Sequence, residues 1–251
     1  MSQKILVLGN GFIGKPLAEY LGADVCTKRL HTIIKEDLNS YDVVINCVAK
    51  AVIDWSEKNR EDTFDTNVIQ AVRIAKLVKG KYVFFSSGCI FQSPNGEISN
   101  EDSKPNPQCF YTYTKLMAEQ LLEEVKPDTL IIRPRFLVSP IPHPRNVLDK
   151  LLTYSHIVTT QESITVLEDM FAKVKELLPE SGAFNVVNEG TMSPSEIMEM
   201  FGHKHEKINK SDLDVITAKG ARRVSTILGS NRTKLMPNIR ERIAEIIAKR
   251  K

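Results

Sequence analysis

The chain has 251 residues, of which 42% are hydrophobic, 7% aromatic and 26% charged. These fractions lie near the globular average and exclude disordered, collagen-like and small disulfide-rich classes, while the length suits one large domain or two small ones. With 34 Lys and Arg against 31 Asp and Glu, the net charge of +3 is too small to indicate a nucleic-acid or membrane partner.

No targeting segment or metal site is indicated. The N-terminus lacks an apolar stretch followed by a small-residue cleavage site, and no run approaches the ~18 apolar residues of a membrane span. We therefore expect a cytosolic protein. The four cysteines form no CxxC pair, so free thiols are expected. His203-x-His205 has no third ligand nearby, and we expect no metal.

Short apolar runs alternate with segments of helical spacing from the N-terminus onward. This alternation predicts an α/β fold with a parallel sheet covered on both faces. After Pro144 the pattern becomes mainly helical and indicates a smaller substrate-facing part. The predicted strands are 5–8, 23–26, 43–48, 82–86, 129–132 and 184–187, and the predicted helices are 15–21, 64–78, 111–125, 146–154, 165–177, 194–201 and 238–249.

A glycine-rich turn follows the first predicted strand. Its sequence, Gly9-Asn10-Gly11-Phe12-Ile13-Gly14, has the G-x-G-x-x-G spacing and precedes a predicted helix. In that context the glycines permit a tight turn and let a pyrophosphate reach the helix N-terminus. We predict a dinucleotide site here; a glycine turn without a ligand is the alternative. The predicted cofactor-binding residues are Gly9, Gly11, Phe12, Ile13 and Gly14.

The end of the second predicted strand indicates which dinucleotide is bound. An NAD site usually has an acid about 20 residues after the first glycine. This chain has Thr27-Lys28-Arg29 at that place. Two cations suit a 2′-phosphate, so Lys28 and above all Arg29 favour NADPH over NADH. Two surface cations on a loop are the alternative interpretation.

Tyr111 and Lys115 are four positions apart, which places both side chains on one face of a helix. A nearby ammonium lowers the pKa of a phenol, so this pair predicts an acid/base for a carbonyl-alcohol interconversion. Upstream, an apolar strand ends in Ser86-Ser87, where a serine can hold the substrate oxygen facing the tyrosine. Capping of the strand end is the alternative role for either serine.

Together these motifs resemble the extended short-chain dehydrogenases/reductases of the nucleotide-sugar branch, as do Thr66-Asn67 and Asn46, which the resemblance places at the end of a fourth strand. The nearer resemblance is to the bifunctional 3,5-epimerase/4-keto-reductases that make UDP-L-rhamnose, which are related to dTDP-4-dehydrorhamnose reductase. It rests on Ile53-Asp54-Trp55, Ser87-Gly88-Cys89-Ile90-Phe91, Tyr111-x-x-Thr114-Lys115, Pro144-Arg145-Asn146, residues 163–167, and residues 182–185 through Glu196-Ile197.

The resemblance implies a Rossmann-type NADP(H)-binding domain over 1–135. It implies a smaller nucleotide-sugar-binding region over 136–251, of which about 157–190 return to the first domain. A homodimer through helices that include the one bearing Tyr111 is also implied. Ser87 and Tyr111 would bind and protonate the sugar O4 as NADPH reduces C4, while Lys115 would hold the nicotinamide ribose and Asn46 would contact the cofactor.

Epimerisation has an independent chemical basis, because a 4-keto group acidifies the C3 and C5 protons. It needs a further acid/base. Cys89 matches the epimerase cysteine of GDP-fucose synthase, and Lys150 matches a lysine of the rhamnose synthases; a packed thiol and a solvated cation are the alternatives. Arg135, Asn146 and Arg223 are candidates for nucleotide-sugar contacts, although Arg135 also suits a structural ion pair.

The expected function is NADPH-dependent reduction of a nucleotide-linked 4-keto-6-deoxy sugar, coupled to epimerisation at C3 and C5, with UDP-L-rhamnose as the favoured product. Three alternatives stay open: a 4-keto reductase without epimerase activity, a 3-epimerase/4-reductase of a UDP-acetamido sugar, and a regulatory subunit without catalysis. The Ser87, Tyr111 and Lys115 set argues against the last, because a protein that only binds does not need that geometry.

Overall fold

The structure, a computed structural model, describes residues 3–209, 211–212 and 225–250. Its strands are β1 (Ile5–Leu8), β2 (Asp24–Cys26), β3 (Val43–Asn46), β4 (Lys81–Phe85), β5 (Ile98–Ser99), β6 (Leu130–Arg133), β7 (Leu137–Val138), β8 (His156–Val158), β9 (Thr165–Val166), β10 (Gly182–Asn185), β11 (Glu206–Ile208) and β12 (Ile227–Leu228). Its α-helices are α1 (Gly14–Leu21), α2 (Ile53–Lys58), α3 (Arg60–Phe64), α4 (Gln70–Leu77), α5 (Phe110–Val125), α6 (Val147–Leu151), α7 (Leu167–Leu177), α8 (Pro194–Met200) and α9 (Ile239–Arg250).

A six-stranded parallel sheet with the order β10-β6-β4-β3-β1-β2 forms the centre of the protein. Successive side chains alternate between its faces, so each face has its own apolar core. Val7, Ile45 and Val83 pack toward α1 and α7. Leu8 and Val44 pack toward α4 and α5. Helices therefore cover both faces, and the architecture is the predicted doubly wound, Rossmann-type α/β fold.

The region between β2 and β3 differs from the resemblance, which counted the strand ending at Asn46 as the fourth. In the structure that strand is β3, because residues 30–32 and 35–37 form short 3-10 turns. Leu30, Ile33 and Leu38 are buried in the core beneath α4. Arg73 of α4 also donates to the carbonyls of Leu30 and Ile33, which holds this segment off the sheet edge.

The predicted helix over 64–78 is divided in the structure. A π-helical turn, Asp65–Ile69, separates α3 from α4. Within this turn the Asn67 amide donates to the Lys50 carbonyl at 3.1 Å and to Thr114 Oγ1 at 3.1 Å, and its oxygen accepts from Lys50 N at 2.8 Å. These bonds join the loop after β3 to α5, a connection that helical spacing does not reveal.

Residues after β6 build a second core. Val138, Leu148, Met192, Ile197 and Ile243, among others, form one apolar cluster of this region, whereas β10 pairs with β6 in the central sheet. The division at residue 135 and the homodimer remain predictions. Among the described residues, none of the helices combines the length and apolar character that crossing a bilayer requires.

Candidate active site

The glycine turn lies between β1 and α1, where Gly9 N donates to the Cys26 carbonyl at 2.9 Å. Gly9 has φ +93°, and a Cβ on Gly14 would lie 2.1 Å from the Gly9 oxygen, so both positions require glycine. A Cβ on Gly11 would meet nothing within 4 Å. No side chain caps the N-terminus of α1, and no acid lies in its first turn. The chain is therefore closely packed at Gly9 and Gly14, whereas Gly11 and the N-terminus of α1 leave space in which an anion would bind.

The two cations after β2 differ in their surroundings. Lys28 Nζ forms an ion pair with Asp37 Oδ1 at 2.6 Å, whereas the Arg29 side chain is exposed at the start of the next 3-10 turn. A neighbouring carboxylate neutralises part of the field of Lys28. Arg29 is therefore the stronger candidate for a 2′-phosphate contact.

Tyr111 lies in the first turn of α5, one turn before Lys115. Lys115 is fully buried; its Nζ donates to the Phe85 carbonyl at 2.7 Å and lies 4.5 Å from the centroid of the Phe84 ring. Burial lowers the pKa of Lys115 to about 8, against the opposing effects of Glu119 and Cys47. The spacing predicted that Tyr111 and Lys115 share one helix face, and the fold additionally brings Lys115 to the carboxyl end of β4.

The pKa of Tyr111 differs from the expectation that Lys115 would lower it. Burial raises the pKa of the phenol above its usual value, and the Cys89 thiol adds to this increase. A hydrogen bond with the Ser87 hydroxyl and the positive charge of Arg135 oppose it. Lys115 donates to the Phe85 carbonyl, and the Tyr111 phenol, with its pKa raised by burial, stays protonated at neutral pH. Such a phenol is a proton donor.

Ser87 and Cys89 belong to the 3-10 turn that follows β4. Ser87 Oγ accepts a hydrogen bond from Cys89 N at 3.2 Å, so it caps this turn as well as meeting Tyr111. Arg135 Nη1 donates to Cys89 Sγ at 3.3 Å, and Arg135 Nη2 pairs with Glu162 Oε2 at 2.6 Å. The structure thus gathers Ser87, Cys89, Tyr111 and Arg135 beside one another. The ion pair of Arg135 is one of the two roles considered from the sequence.

Two asparagines predicted to contact ligands, Asn46 and Asn146, also form hydrogen bonds within the protein. Asn46 is buried; its amide donates to Tyr82 Oη at 2.9 Å, and its oxygen accepts from Val48 N at 3.0 Å. Asn146 is also buried; it caps α6 through Leu148 N and donates to the carbonyls of Ser139 and Ile141. These contacts give both asparagines supporting roles in the fold, and the cofactor contact of Asn46 and the substrate contact of Asn146 remain predictions.

The two remaining candidates are both cations. Lys150 is exposed on α6. Arg223 lies outside the described residues. The roles assigned to Lys150 and Arg223 both remain predictions.

Sequence reasoning missed the residue that supports the start of α5. Glu57 Oε1 accepts a hydrogen bond from Phe110 N at 2.6 Å, next to Tyr111, and Glu57 Oε2 pairs with Arg60 at 2.7 Å. A carboxylate suits a helix N-terminus. The motif Ile53-Asp54-Trp55, two residues upstream, was the available signal. The partner of this carboxylate lies 53 positions away, which no local pattern indicates.

His203 and His205 are engaged by neighbours in the C-terminal part. His203 Nε2 contacts the Tyr154 carbonyl at 3.0 Å, and His205 Nε2 contacts Ser195 Oγ at 2.8 Å. Across residues 3–209, 211–212 and 225–250, no group of three or more His, Cys, Asp or Glu residues is arranged to hold a metal ion.

Comparison with protein families gives a match to the NAD dependent epimerase/dehydratase family over residues 21–173. This segment is more than half of the chain and contains Ser87, Tyr111 and Lys115. The chain belongs to this family. A relative in Arabidopsis thaliana, the bifunctional dTDP-4-dehydrorhamnose 3,5-epimerase/dTDP-4-dehydrorhamnose reductase, is 28% identical over 162 residues, which are 59% of this chain and 54% of the relative. The chain spans about half or less of the length of the first curated relatives that it matches.

Solved structures show the same epimerase/dehydratase-type fold over nearly the whole chain. The L780 UDP-rhamnose synthase of Acanthamoeba polyphaga mimivirus has a TM-score of 0.89 at 21% identity, covering 99% of this chain and 100% of that one. The dTDP-4-dehydrorhamnose reductase of Bacillus anthracis, solved in complex with NADP, has a TM-score of 0.82 at 21% identity, covering 99% of each chain. At this identity the similarity establishes the fold.

Proposed function

We propose that this protein is an NADPH-dependent reductase of a nucleotide-linked 4-keto-6-deoxy sugar that also epimerises the sugar at C3 and C5. The favoured product is UDP-L-rhamnose. The observation that carries the proposal is the group formed by Ser87, Tyr111, Cys89 and Arg135. It combines two hydroxyls for one carbonyl oxygen with a thiol that accepts a guanidinium hydrogen bond. The names of the plant and viral relatives support the same chemistry.

The glycine turn fits the cofactor. Its open side at Gly11, the uncapped N-terminus of α1 and the exposed Arg29 would hold the diphosphate and the 2′-phosphate of NADPH. When bound there, NADPH supplies the hydride that reduces C4 of the sugar. The complex of the Bacillus anthracis reductase with NADP supports this choice of cofactor.

Reduction requires a proton at O4 as well as a hydride at C4. Ser87 and Tyr111 would both donate hydrogen bonds to O4, and the Tyr111 phenol would transfer its proton to that oxygen. The raised pKa of Tyr111 suits this direction of reaction, because the phenol carries its proton at neutral pH. The buried ammonium of Lys115 would then stabilise the phenolate left on Tyr111.

Epimerisation would use the same oxygen site. Cys89 Sγ would remove the acidified proton from C3 or C5, while Ser87 and Tyr111 stabilise the enolate oxygen at O4. The hydrogen bond from Arg135 to Sγ suits a sulfur that carries negative charge before it takes the proton. Inversion requires a proton to return from the opposite face of the ring, and Lys150 is our candidate donor for it.

The test is incubation of the protein with UDP-4-keto-6-deoxyglucose and NADPH in heavy water, followed by mass and position analysis of deuterium in the product. NADPH consumption with carbon-bound deuterium at C3 and C5 is the expected result. NADPH consumption without deuterium at C3 or C5 would identify the protein as a 4-keto reductase without epimerase activity. Deuterium at C3 alone, with turnover of a UDP-acetamido sugar only, would identify the 3-epimerase/4-reductase alternative. Parallel reactions with the dTDP-linked sugar decide the nucleotide.

An Arg29→Ala variant is expected to bind NADPH at least about tenfold more weakly while its NADH affinity is unchanged, because a charge-assisted hydrogen bond to phosphate is lost. Lys28→Ala is the matched control, and its effect should be smaller because Lys28 is paired with Asp37. Fluorescence titration of both cofactors measures the two affinities. An unchanged ratio of NADPH to NADH affinity in Arg29→Ala would contradict the assignment.

The pKa of Lys115 predicts a high-pH limit for turnover. Above pH about 8 the side chain loses its proton, and the stabilisation of the Tyr111 phenolate is lost with it. The stability effect has the opposite sign: a lysine whose pKa is lower in the folded than in the unfolded chain makes the fold more stable as pH rises from about 8 toward 10.5. Reduction rates at saturating NADPH should therefore fall above pH about 8 without loss of helical circular dichroism. A rate that stays constant to pH ~9.5 contradicts the prediction.

A further inference from the structure

A residue from the later part of the chain makes an aromatic contact with the glycine turn. The imidazole of His143 stacks on the ring of Phe12, with 4.7 Å between centroids and 14° between planes. Phe12 belongs to the glycine turn itself, between Gly11 and Gly14. His143 belongs to residues 139–146, here called the 139–146 loop, which leads into α6. Two segments 131 positions apart in sequence thus meet where the dinucleotide is proposed to bind.

Hydrogen bonds and an ion pair with neighbouring residues hold the 139–146 loop in place. Arg250 of α9 donates to the carbonyls of Ser139 at 2.7 Å and Pro140 at 2.9 Å. The Asn146 amide donates to the Ser139 carbonyl at 2.8 Å. The backbone N–H of His143 donates to Asp149 Oδ2 at 2.9 Å, and Asp149 pairs with Arg250 at 2.8 Å. The imidazole is therefore held over Phe12 by a network that does not involve the glycine turn.

The hydrogen bonding of the ring identifies its free donor. Nδ1 of His143 accepts a hydrogen bond from Arg145 N at 3.0 Å. In the neutral imidazole the proton must then lie on Nε2, which is a donor. In the described part of the chain, no protein group accepts a hydrogen bond from this nitrogen. A stacked ring thus presents an N–H donor beside a turn whose Gly11 side is open.

We propose that His143 is a cofactor-binding residue that donates a hydrogen bond from Nε2 to a diphosphate oxygen of the dinucleotide at the glycine turn. The proposal rests on the function proposed above. A diphosphate is the group that the turn and the N-terminus of α1 would hold, and an added N–H donor strengthens its binding. The nicotinamide dinucleotides share this group, so the contact would serve NADPH and NADH equally, in contrast to Arg29.

Two substitutions separate the Nε2 donor from the other properties of the ring. His143→Phe keeps an aromatic ring to stack on Phe12 but loses both nitrogens. His143→Asn loses the ring but keeps an oxygen that can accept from Arg145 N, two residues onward, as asparagine does in turns. Both variants lose the Nε2 donor in common.

Fluorescence titration with NADPH and with NADH tests the proposal on the full chain, together with thermal unfolding in the absence of cofactor. Both variants should weaken both cofactors by about tenfold, with unchanged unfolding midpoints. His156→Phe, which alters an exposed histidine paired with Glu206, is the control and should bind as the wild type does. Wild-type affinity in either variant, or a loss for NADPH alone, would overturn the role of Nε2. Failure of the wild type to bind either cofactor would instead overturn the proposed function.

Discussion

A Tyr111→Phe variant is expected to reduce the 4-keto sugar about a thousandfold more slowly while it binds NADPH as tightly as the wild type. The substitution removes the phenolic proton donor and its hydrogen bond with Ser87, but it keeps the buried ring and leaves Lys115 in place. The loss should therefore appear in kcat, because a proton transfer made in the transition state is removed.

Stopped-flow oxidation of NADPH measures this loss, with cofactor titration as the control for folding and binding. Tyr113→Phe is a matched variant on the same helix; Tyr113 is exposed, and Met117 stands where a lysine partner would be. This control should retain full activity. Wild-type turnover in Tyr111→Phe would remove Tyr111 from the mechanism.

A Cys89→Ser variant is expected to lose epimerisation by about a hundredfold or more, because an alcohol ionises far less readily than a thiol and supplies almost no anionic base at neutral pH. Direct reduction should continue, since Ser87 and Tyr111 are unchanged. The serine fits the volume of the thiol and can still accept a hydrogen bond from Arg135, so the effect should be chemical. Deuterium incorporation at C3 and C5, measured with NADPH omitted, isolates this step.

Cys109→Ser is the matched control for the Cys89 experiment. Cys109 is a second buried thiol beside Tyr111, and it lies at the N-cap of α5 with Sγ 3.4 Å from Thr112 Oγ1. Serine is a good N-cap residue, so the helix should be preserved. Full epimerisation in Cys109→Ser, together with its loss in Cys89→Ser, assigns the base to Cys89. Retained exchange in Cys89→Ser would show that Cys89 is not the base and would leave the epimerase base unassigned.

Much of the fold followed from local patterns. Apolar runs separated by helical spacing predicted all six strands of the central sheet to within a few residues. They also predicted α5, whose observed bounds of Phe110–Val125 differ from the expectation by one residue. Such patterns are reliable because the periodicity reflects which side chains face the core. The segment at residues 30–37 has no such periodicity, and contacts with a distant helix hold it, since Arg73 of α4 donates to the carbonyls of Leu30 and Ile33.

The sequence by itself determined the glycine turn, the order of Ser87, Tyr111 and Lys115, and the alternating elements that carry them, because these depend on spacing within a few residues. Tertiary structure alone decided the surroundings of those groups. Burial keeps Tyr111 protonated, Glu162 pairs with Arg135, and His143 reaches Phe12. Burial and pairing arise between residues far apart in the chain, and only the packed fold brings such residues together.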